Sequence, residues 1–406
     1  MKFDIKSIID GFRYDPNSVK RNYDGRTDIY LAKVSYRYAY IKRVLILILV
    51  LVLIAFILSG NLSYSKLYYL TKDIKLAGDF VNSVHDTITY NVGNSQSFVA
   101  YRSGIAVASR EGLSIFSAGG RELFSTNHSY GNPNLLANNK YVLLFDVGGN
   151  QFSLYNSFSK VREGILDYPI YGGCISQGGN FALISKSEKY DSVVKVYQSN
   201  GTEYTYNFSS GRVCSASFSP NGLQIAICVI YPDTDGLRSE IRTYRVGSGD
   251  YNRADVTFAG VPYEMRVLDN GSIAVLGARG VNVFSSGLNL LGEYLSDKEI
   301  YAYDFGNDNV VIAHASEDGS ETEVVLLNKR CKVEKRIELE ERILDVVLYK
   351  GYLFTQSIGG FERTNTVINQ TKRIDIVATD FKMISVDKNT LIICNDSYAK
   401  FLEFGQ

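Results

Sequence analysis

A tight turn followed by an apolar strand recurs along most of this chain of 406 residues, and no other feature constrains its fold as strongly. The stretch FSPNGLQIAIC, residues 218–228, is typical: Pro, Asn and Gly favour a turn, and an apolar strand follows. Each of eight such stretches can be aligned on one apolar or aromatic residue, and these residues are Ile105, Tyr141, Phe181, Ile225, Ile273, Val310, Tyr352 and Leu391. Their mean spacing is about 41 residues, and a second apolar run follows each of them.

A repeat of about 40–45 residues that contains several strands is typical of β-propeller blades. A β-sandwich would instead show single strands every 8–12 residues or so, without the longer repeat. The abundance of Tyr, Phe, Val, Ile and Gly also favours strands over helices. The sequence therefore predicts an all-β propeller of eight blades, with seven blades as the alternative if one weak repeat is misassigned.

The final repeat contains strands near residues 381–386, 391–394 and 398–404, and it lacks a fourth, outer strand. A ring whose last blade is incomplete exposes an open sheet edge. Residues 80–92 precede the first repeat, and within them the stretch VHDTITYNV alternates between apolar and polar side chains. We predict that this segment supplies the missing strand and so joins the two ends of the ring.

A run of fifteen apolar residues occupies positions 44–58, and Ser59 and Gly60 extend it. A membrane-spanning helix needs about 17–25 such residues. Basic residues are concentrated before the run, and the positive-inside rule then places the N-terminus in the cytosol. The predicted organisation is a cytosolic basic leader (1–40), a transmembrane signal-anchor helix (41–60), a linker (61–75) and an extracytoplasmic propeller (76–406). A cleaved signal peptide and a buried core helix fit less well, because the basic region is long and the run has no polar face.

Charge is distributed unevenly between the two parts of the chain. Residues 1–43 carry ten Lys or Arg and five Asp, whereas the whole chain has 43 basic and 43 acidic residues. A net charge of zero does not support nucleic-acid binding.

The stretch FDIKSIIDGF, residues 3–12, has the spacing of a short amphipathic helix that would lie on the membrane or bind a cytosolic partner. The alternative is a leader that only sets the topology.

The segment SFSPNGLQIAI is similar to the strand-turn-strand repeat of WD40-like propellers of the TolB type. The plan of basic leader, single span and Tyr-rich repeats resembles an uncharacterised family of membrane-anchored bacterial propeller proteins. That resemblance covers nearly the full chain and implies no known reaction. Because the sequence has no Trp, it contains neither the WD dipeptide nor the Trp docking motif of quinoprotein propellers.

Motifs for catalysis or cofactor binding are missing from the sequence. His85, His128 and His314 are far apart, and there is no H-E-x-x-H, G-x-S-x-G or phosphate-binding loop. We therefore predict no catalytic residue and no cofactor.

In DTDGLRSE, residues 233–240, the oxygens of Asp233, Asp235 and Glu240 would suit a cation. The spacing departs from that of a calcium loop, however, and Asp-Gly favours a hairpin turn.

Five cysteines, Cys174, Cys214, Cys228, Cys331 and Cys394, form no C-x-x-C motif. Cys228 and Cys394 lie in apolar strands, which predicts buried thiols. Cys174 and Cys214 occupy similar positions in consecutive repeats and could lie on neighbouring inner strands. A disulfide between them remains an open alternative, because both strand spacing and side-chain direction must allow it.

Innermost strands of a propeller surround its central channel, and aromatic and acidic residues occur near the predicted starts of these strands. They are Tyr171, Tyr263, Glu264, Tyr301, Asp304, Asp345 and Asp380. Such residues at a channel mouth would suit a partner peptide, a glycan or a cation. The alternative is ordinary packing between blades with solvated charges.

Three functions are compatible with these features. The preferred hypothesis is a single-pass, non-catalytic module at the cell membrane that binds another envelope protein. The second is an extracytoplasmic sensor of glycan or cell-wall polymer, in which the leader carries the signal inward. The third is a propeller hydrolase or lyase whose site converges from distant blades.

Overall fold

The computed structural model describes residues 40–48, 50, 87–90, 97–102, 104–117, 119–234, 236–258, 260–315, 321–377, 381–385 and 388–404. The chain divides into two units, Met1–Gly78 and Asp79–Gln406. In the first unit, residues 40–48 and 50 are helical. No helix within the described residues is long and apolar enough to cross a membrane. Most of the predicted transmembrane segment, together with the leader and the linker, lies outside the described residues.

The second unit consists of four-stranded antiparallel sheets, and those built from described residues number eight. The first four sheets contain β2 (Ser97–Tyr101), β3 (Gly104–Ala108), β4 (Gly112–Phe116), β5 (Glu122–Asn127); β6 (Pro133–Ala137), β7 (Val142–Asp146), β8 (Gln151–Tyr155), β9 (Lys160–Ile165); β10 (Ile170–Ile175), β11 (Phe181–Ser185), β12 (Ser192–Tyr197), β13 (Glu203–Phe208); and β14 (Arg212–Phe218), β15 (Gln224–Asp233), β16 (Gly236–Arg245), β17 (Tyr251–Asp255). The other four contain β18 (Pro262–Val267), β19 (Ile273–Gly277), β20 (Gly280–Phe284), β21 (Leu290–Leu295); β22 (Ile300–Phe305), β23 (Val310–Ala315), β24 (Thr322–Leu327), β25 (Val333–Leu339); β26 (Ile343–Tyr349), β27 (Tyr352–Ser357), β28 (Gly360–Asn365), β29 (Thr371–Ile374); and β30 (Lys382–Ser385), β31 (Thr390–Cys394), β32 (Tyr398–Glu403), β1 (Thr87–Thr89).

The sheets are the blades of a ring. The first strands of neighbouring blades contact one another, as β2 does with β6 and β14 with β18, and β30 contacts β2 to close the circle. These first strands are therefore innermost. The prediction of an eight-bladed all-β propeller is confirmed, and the seven-blade alternative is excluded.

Apolar side chains form the core between the blades. Within the described part of the chain they make eight clusters, and each cluster joins two neighbouring blades. The second strands, such as β3 and β19, are buried along their whole length because both of their faces meet another blade. The fourth strands, such as β9 and β25, alternate between exposed and half-buried residues. This difference explains why the second strands gave the strongest sequence signal.

The predicted closure of the ring is confirmed. Strand β1 pairs antiparallel with β32, with Ile88 opposite Ala399, and so becomes the outer strand of the last blade. Ile88 is buried in the cluster between the last blade and the first. The hydroxyl of Tyr90 donates to the carbonyl of Asn395 at 2.8 Å, and its ring lies 5.9 Å from that of Phe98 in the first blade. The segment therefore connects both ends of the ring.

The turn within FSPNG connects β14 to β15, the first and second strands of the fourth blade. The backbone N–H of Gly222 donates to the carbonyl of Ser219 at 2.8 Å, and Gly222 has a φ of 69°. Glycine adopts this conformation without the steric cost that a Cβ would add. Each of the eight aligned sequence residues lies on the second strand of a blade or, for Tyr141, immediately before it.

Candidate functional site

Five consecutive blades share an irregularity near the start of the innermost strand. In blades 3 to 7 the register between the first and second strands shifts, so that one residue of the first strand has no direct partner. Such β-bulges redirect a side chain and often occur beside functional sites. The bulged residues, which we call the bulge ring, are Tyr171, Cys214, Tyr263, Tyr301 and Leu344. The corresponding registers of the first, second and last blades are regular over the residues described.

Three members of the bulge ring expose apolar surface at one mouth of the channel. The exposed fractions are 52% for Tyr171, 44% for Tyr263 and 39% for Leu344. Tyr301 is held in place instead: its hydroxyl lies 2.8 Å from the Thr322 hydroxyl, and the Arg342 guanidinium lies 5.9 Å from its ring centre. Three of the five bulged residues, Tyr171, Tyr263 and Tyr301, are among those predicted from the sequence at the channel mouth, and Cys214 and Leu344 are not.

The turns at the other mouth are polar and link neighbouring blades. Asn180 Nδ2 donates to the carbonyl of Gly222 at 3.1 Å, and the N–H of Asn270 donates to Asp308 Oδ1 at 3.1 Å. Among the described residues of these turns, Leu223 is the large apolar side chain that is exposed. This mouth is rich in polar groups that hydrogen-bond to one another, whereas Tyr171, Tyr263 and Leu344 of the bulge ring expose apolar surface.

A long hairpin rises from the same end of the ring as the bulges. Strands β15 and β16 have ten residues each, and their pairing continues past Ile230, which lies opposite Arg212, the first residue of β14. We call residues 231–238 the hairpin arm. Leu237 is exposed on it, and the Arg238 guanidinium lies 5.7 Å from the Tyr231 ring centre. The arm extends beside the mouth, between the blades that carry Tyr171 and Tyr263.

The base of the arm is fixed by a buried charge cluster. Glu240 is almost fully buried and accepts hydrogen bonds from Arg242 Nε at 2.5 Å and from the Tyr231 hydroxyl at 3.1 Å. Burial, followed by the charge of Glu240, raises the pKa of Tyr231 to about 12. A buried carboxylate is stable only when it is paired and hydrogen-bonded in this way. Glu240 is therefore a structural residue of the arm.

Two of the three candidate cation ligands, Asp233 and Glu240, lie apart on the hairpin. Asp233 pairs with Gly236 near the tip of the arm, whereas Glu240 pairs with Val229 four positions further along, a distance of about 13 Å at 3.3 Å per residue. Asp235 lies outside the described residues. In the part of the chain that the structure describes, no three His, Cys, Asp or Glu side chains form a metal-binding group. Strands β15 and β16 pair as far as Asp233 and Gly236, as the alternative of a hairpin in this segment requires.

The predicted acidic residues join innermost strands to one another. Asp304 Oδ2 accepts the N–H of Leu348 in the next blade at 2.7 Å, and Glu264 Oε2 accepts the Tyr303 hydroxyl at 3.0 Å. Asp345 accepts its neighbour's N–H at 2.8 Å and also interacts with the N–H of Met383 in the last blade. These residues satisfy polar groups between blades, and Asp380 lies outside the described residues.

Burial determines how these carboxyl groups titrate. It raises the pKa of Asp304 from 3.8 to about 6, although two backbone N–H groups and Arg266 act in the opposite direction. Burial also raises the pKa of Asp345. His314 is fully buried, 3.2 Å from the Tyr294 hydroxyl, and burial lowers its pKa. The geometry gives each group a partner in the blade packing and gives none of them an open reaction site.

A separate cavity of about 500 Å³ lies where the closing strand meets the first blade. Its lining is rich in hydroxyl and acidic groups, among them Thr89, Tyr90, Ser109, Glu111 and Ser114. This composition differs from that of the bulge ring, and the cavity was not predicted from the sequence, because it forms only where the closing strand packs beside the first blade.

The sequence of residues 81–404 matches the model of a family of unknown function, DUF5711. The chain belongs to that family. A search of curated proteins finds no relative. Among solved structures, Sqt1 from Saccharomyces cerevisiae is similar over 80% of this chain and 100% of its own, with a TM-score of 0.58 and 11% identity. Sqt1 from Chaetomium thermophilum, bound to the N-terminus of ribosomal protein L10, covers 78% of this chain and 99% of its own at 0.56 and 12%.

BamB from Moraxella catarrhalis is also similar, over 78% of this chain and 100% of its own, with a TM-score of 0.51 and 14% identity. At such low identities, these similarities establish the propeller fold alone.

Proposed function

We propose that this DUF5711 protein is a single-pass, non-catalytic module that binds another protein of the cell envelope through the bulge ring and the hairpin arm. In this proposal residues 1–40 are cytosolic, residues 41–60 span the membrane, and the propeller lies outside the cytosol. The apolar run at 44–58 and the basic residues before it support this topology.

The observation that carries the proposal is the asymmetry between the two mouths of the channel. Exposed Tyr and Leu side chains that surround a concavity are typical of protein-binding surfaces, where aromatic anchors supply most of the affinity. The hydrogen-bonded turns of the opposite mouth leave few such anchors. Binding of a protein segment by the similar Sqt1 propeller supports the same class of function.

Crosslinking of the full-length protein in its membrane, followed by mass spectrometry, tests this proposal. The double variant Tyr263→Ser/Leu344→Ser removes two apolar anchors from the bulge ring. The matched control Leu223→Ser/Val333→Ser removes two exposed apolar side chains from the opposite end. A partner captured by the wild type and the control, and lost in the bulge-ring variant, is expected. Equal capture by both variants, or by the leader and span alone, would refute the proposal.

Glycan binding is the second candidate, and the cavity beside the closing strand favours it. Hydroxyl and carboxylate groups around an aromatic ring, as at Ser114, Glu111 and Tyr90, can form hydrogen bonds to a sugar and stack on it. A glycan array probed with wild type and with Ser114→Leu separates the two candidates. Saturable binding that the substitution abolishes would favour the glycan function.

A further inference from the structure

Two cysteines in the fourth blade lie side by side on adjacent strands. Cys214 is the bulged residue of β14, and Cys228 lies opposite its neighbour Ser215 on β15. In a regular strand, Cys214 and Ser215 would point to opposite faces of the sheet. The bulge instead sets both residues against Cys228, so that the two cysteines meet on one face.

Contacts of the two side chains agree with this geometry. Both pack in the apolar cluster between the fourth and fifth blades. Cys214 Sγ lies 3.4 Å from the carbonyl of Cys228, and the two thiols are close enough to hydrogen-bond to each other. Both cysteines are free thiols in the structure, as are the other three described.

The two thiols differ in access and in acidity. Cys214 is partly exposed at the bulge ring, whereas Cys228 is fully buried. The hydrogen bond from Cys228 lowers the pKa of Cys214, and the same bond together with burial raises the pKa of Cys228. A partly exposed thiol with a lowered pKa is the better nucleophile of the pair.

We propose that Cys214 and Cys228 form a disulfide-forming site that reacts with small disulfides at the bulge ring. The Cys214 thiolate attacks a sulfur of a small disulfide RSSR, which gives a Cys214–SR mixed disulfide and releases RS⁻. The thiol of Cys228 then loses its proton, attacks the Cys214 sulfur and releases the second RS⁻. Two protein thiols are oxidised, one RSSR is reduced, and the two protons leave on two RSH molecules. This inference does not depend on the proposed partner.

Cys174 provides an internal comparison. It also lies on an innermost strand and is partly exposed, but it pairs with Ala182 and has no second thiol beside it. Burial raises its pKa to about 12. The structure therefore assigns the reaction to Cys214 and Cys228, and it does not support the Cys174–Cys214 disulfide that the sequence left open.

Peptide mapping of the folded, full-length protein after incubation with oxidised glutathione tests the assignment. Trypsin cuts after Arg212 and Arg238, so one peptide, residues 213–238, contains both cysteines. We expect this peptide to become two hydrogens lighter, while the peptide with Cys174 keeps its free thiol. In Cys228→Ser the reaction should stop at a glutathione adduct on Cys214, and in Cys214→Ser the peptide should stay reduced.

Two results would overturn the proposal. One is a wild-type peptide 213–238 that keeps both thiols while other cysteines react. The other is a stable glutathione adduct on Cys214 in the wild type, which would show that Cys228 cannot reach it. A parallel reaction in denaturant, in which all five cysteines become reactive, confirms that selectivity in the native protein comes from the fold.

Discussion

Substitution of Asp304 by Asn should change how the stability of the propeller depends on pH. The carboxyl group lies between the innermost strands of three blades, accepts the N–H of Leu348, and interacts with the Arg266 charge. Its pKa rises from 3.8 to about 6 on folding, because burial penalises the ionised form. The folded protein therefore binds more protons than the unfolded chain between these values, and the free energy of unfolding falls as pH rises through that interval.

The size of the effect follows from the same values. One pKa unit corresponds to about 1.4 kcal/mol, so a rise of about two units gives about 3 kcal/mol. Solvent still reaches part of Asp304, and we therefore expect about 2 kcal/mol. Asn cannot ionise, but its side-chain oxygen still accepts the Leu348 N–H. The variant should thus keep the contact between blades and lose the pH dependence.

Guanidinium unfolding of wild type and Asp304→Asn, followed by circular dichroism at pH 4 and pH 7.5, measures this difference. Relative to the variant, the wild type should lose about 2 kcal/mol between the two pH values. Asp167→Asn, at an exposed position, serves as the control and should follow the wild type within about 0.5 kcal/mol. An equal pH dependence in wild type and Asp304→Asn would show that burial does not hold this carboxyl group protonated.

Three further substitutions test other parts of the ring. Ile88→Ala should lower the free energy of unfolding by about 2–4 kcal/mol in guanidinium unfolding, because it opens a cavity under the closing strand, whereas Thr87→Ala at its exposed neighbour should have little effect. Burial lowers the pKa of His314, so the free energy of unfolding of the wild type should fall as the pH drops below 6.5, and His314→Gln should remove this decrease. The same pH dependence of unfolding in both proteins would contradict this. Tyr303→Phe removes the hydrogen bond to Glu264 and should cost about 1 kcal/mol in the same unfolding assay without reducing partner capture.

Much of the fold was predictable because it depends on local patterns that repeat. Turn residues and buried second strands recur in every blade, and the alternation around Ile88 identified the closing strand. The site was predictable only in part. The aromatic character of Tyr171 and Tyr263 indicated a channel mouth, but a bulge depends on the register between two strands, and the sequence of one strand does not reveal it. For the same reason the sequence grouped Cys214 with Cys174 and missed its contact with Cys228.

The acidic residues show a second limit of the sequence pattern. Asp304 and Asp345 were predicted at the mouth because they lie near the predicted starts of innermost strands. In a ring, however, each innermost strand exposes backbone N–H groups toward the channel, and side chains of the neighbouring blade satisfy some of them. Ser215 does this for Met265 as Asp304 does for Leu348. A polar residue on an innermost strand can therefore serve closure of the ring, and only its partners in the structure identify that role.

The bulges also limit where a partner can bind. They occur in blades 3 to 7, and the exposed Tyr and Leu side chains of the innermost strands occur in the same blades. The hairpin arm stands on blade 4, within this arc. In the second blade the innermost strand is regular and exposes the polar Asn134 instead. A partner held by apolar anchors would therefore lie over the half of the mouth formed by blades 3 to 7, beside the arm, and would not fill the channel symmetrically.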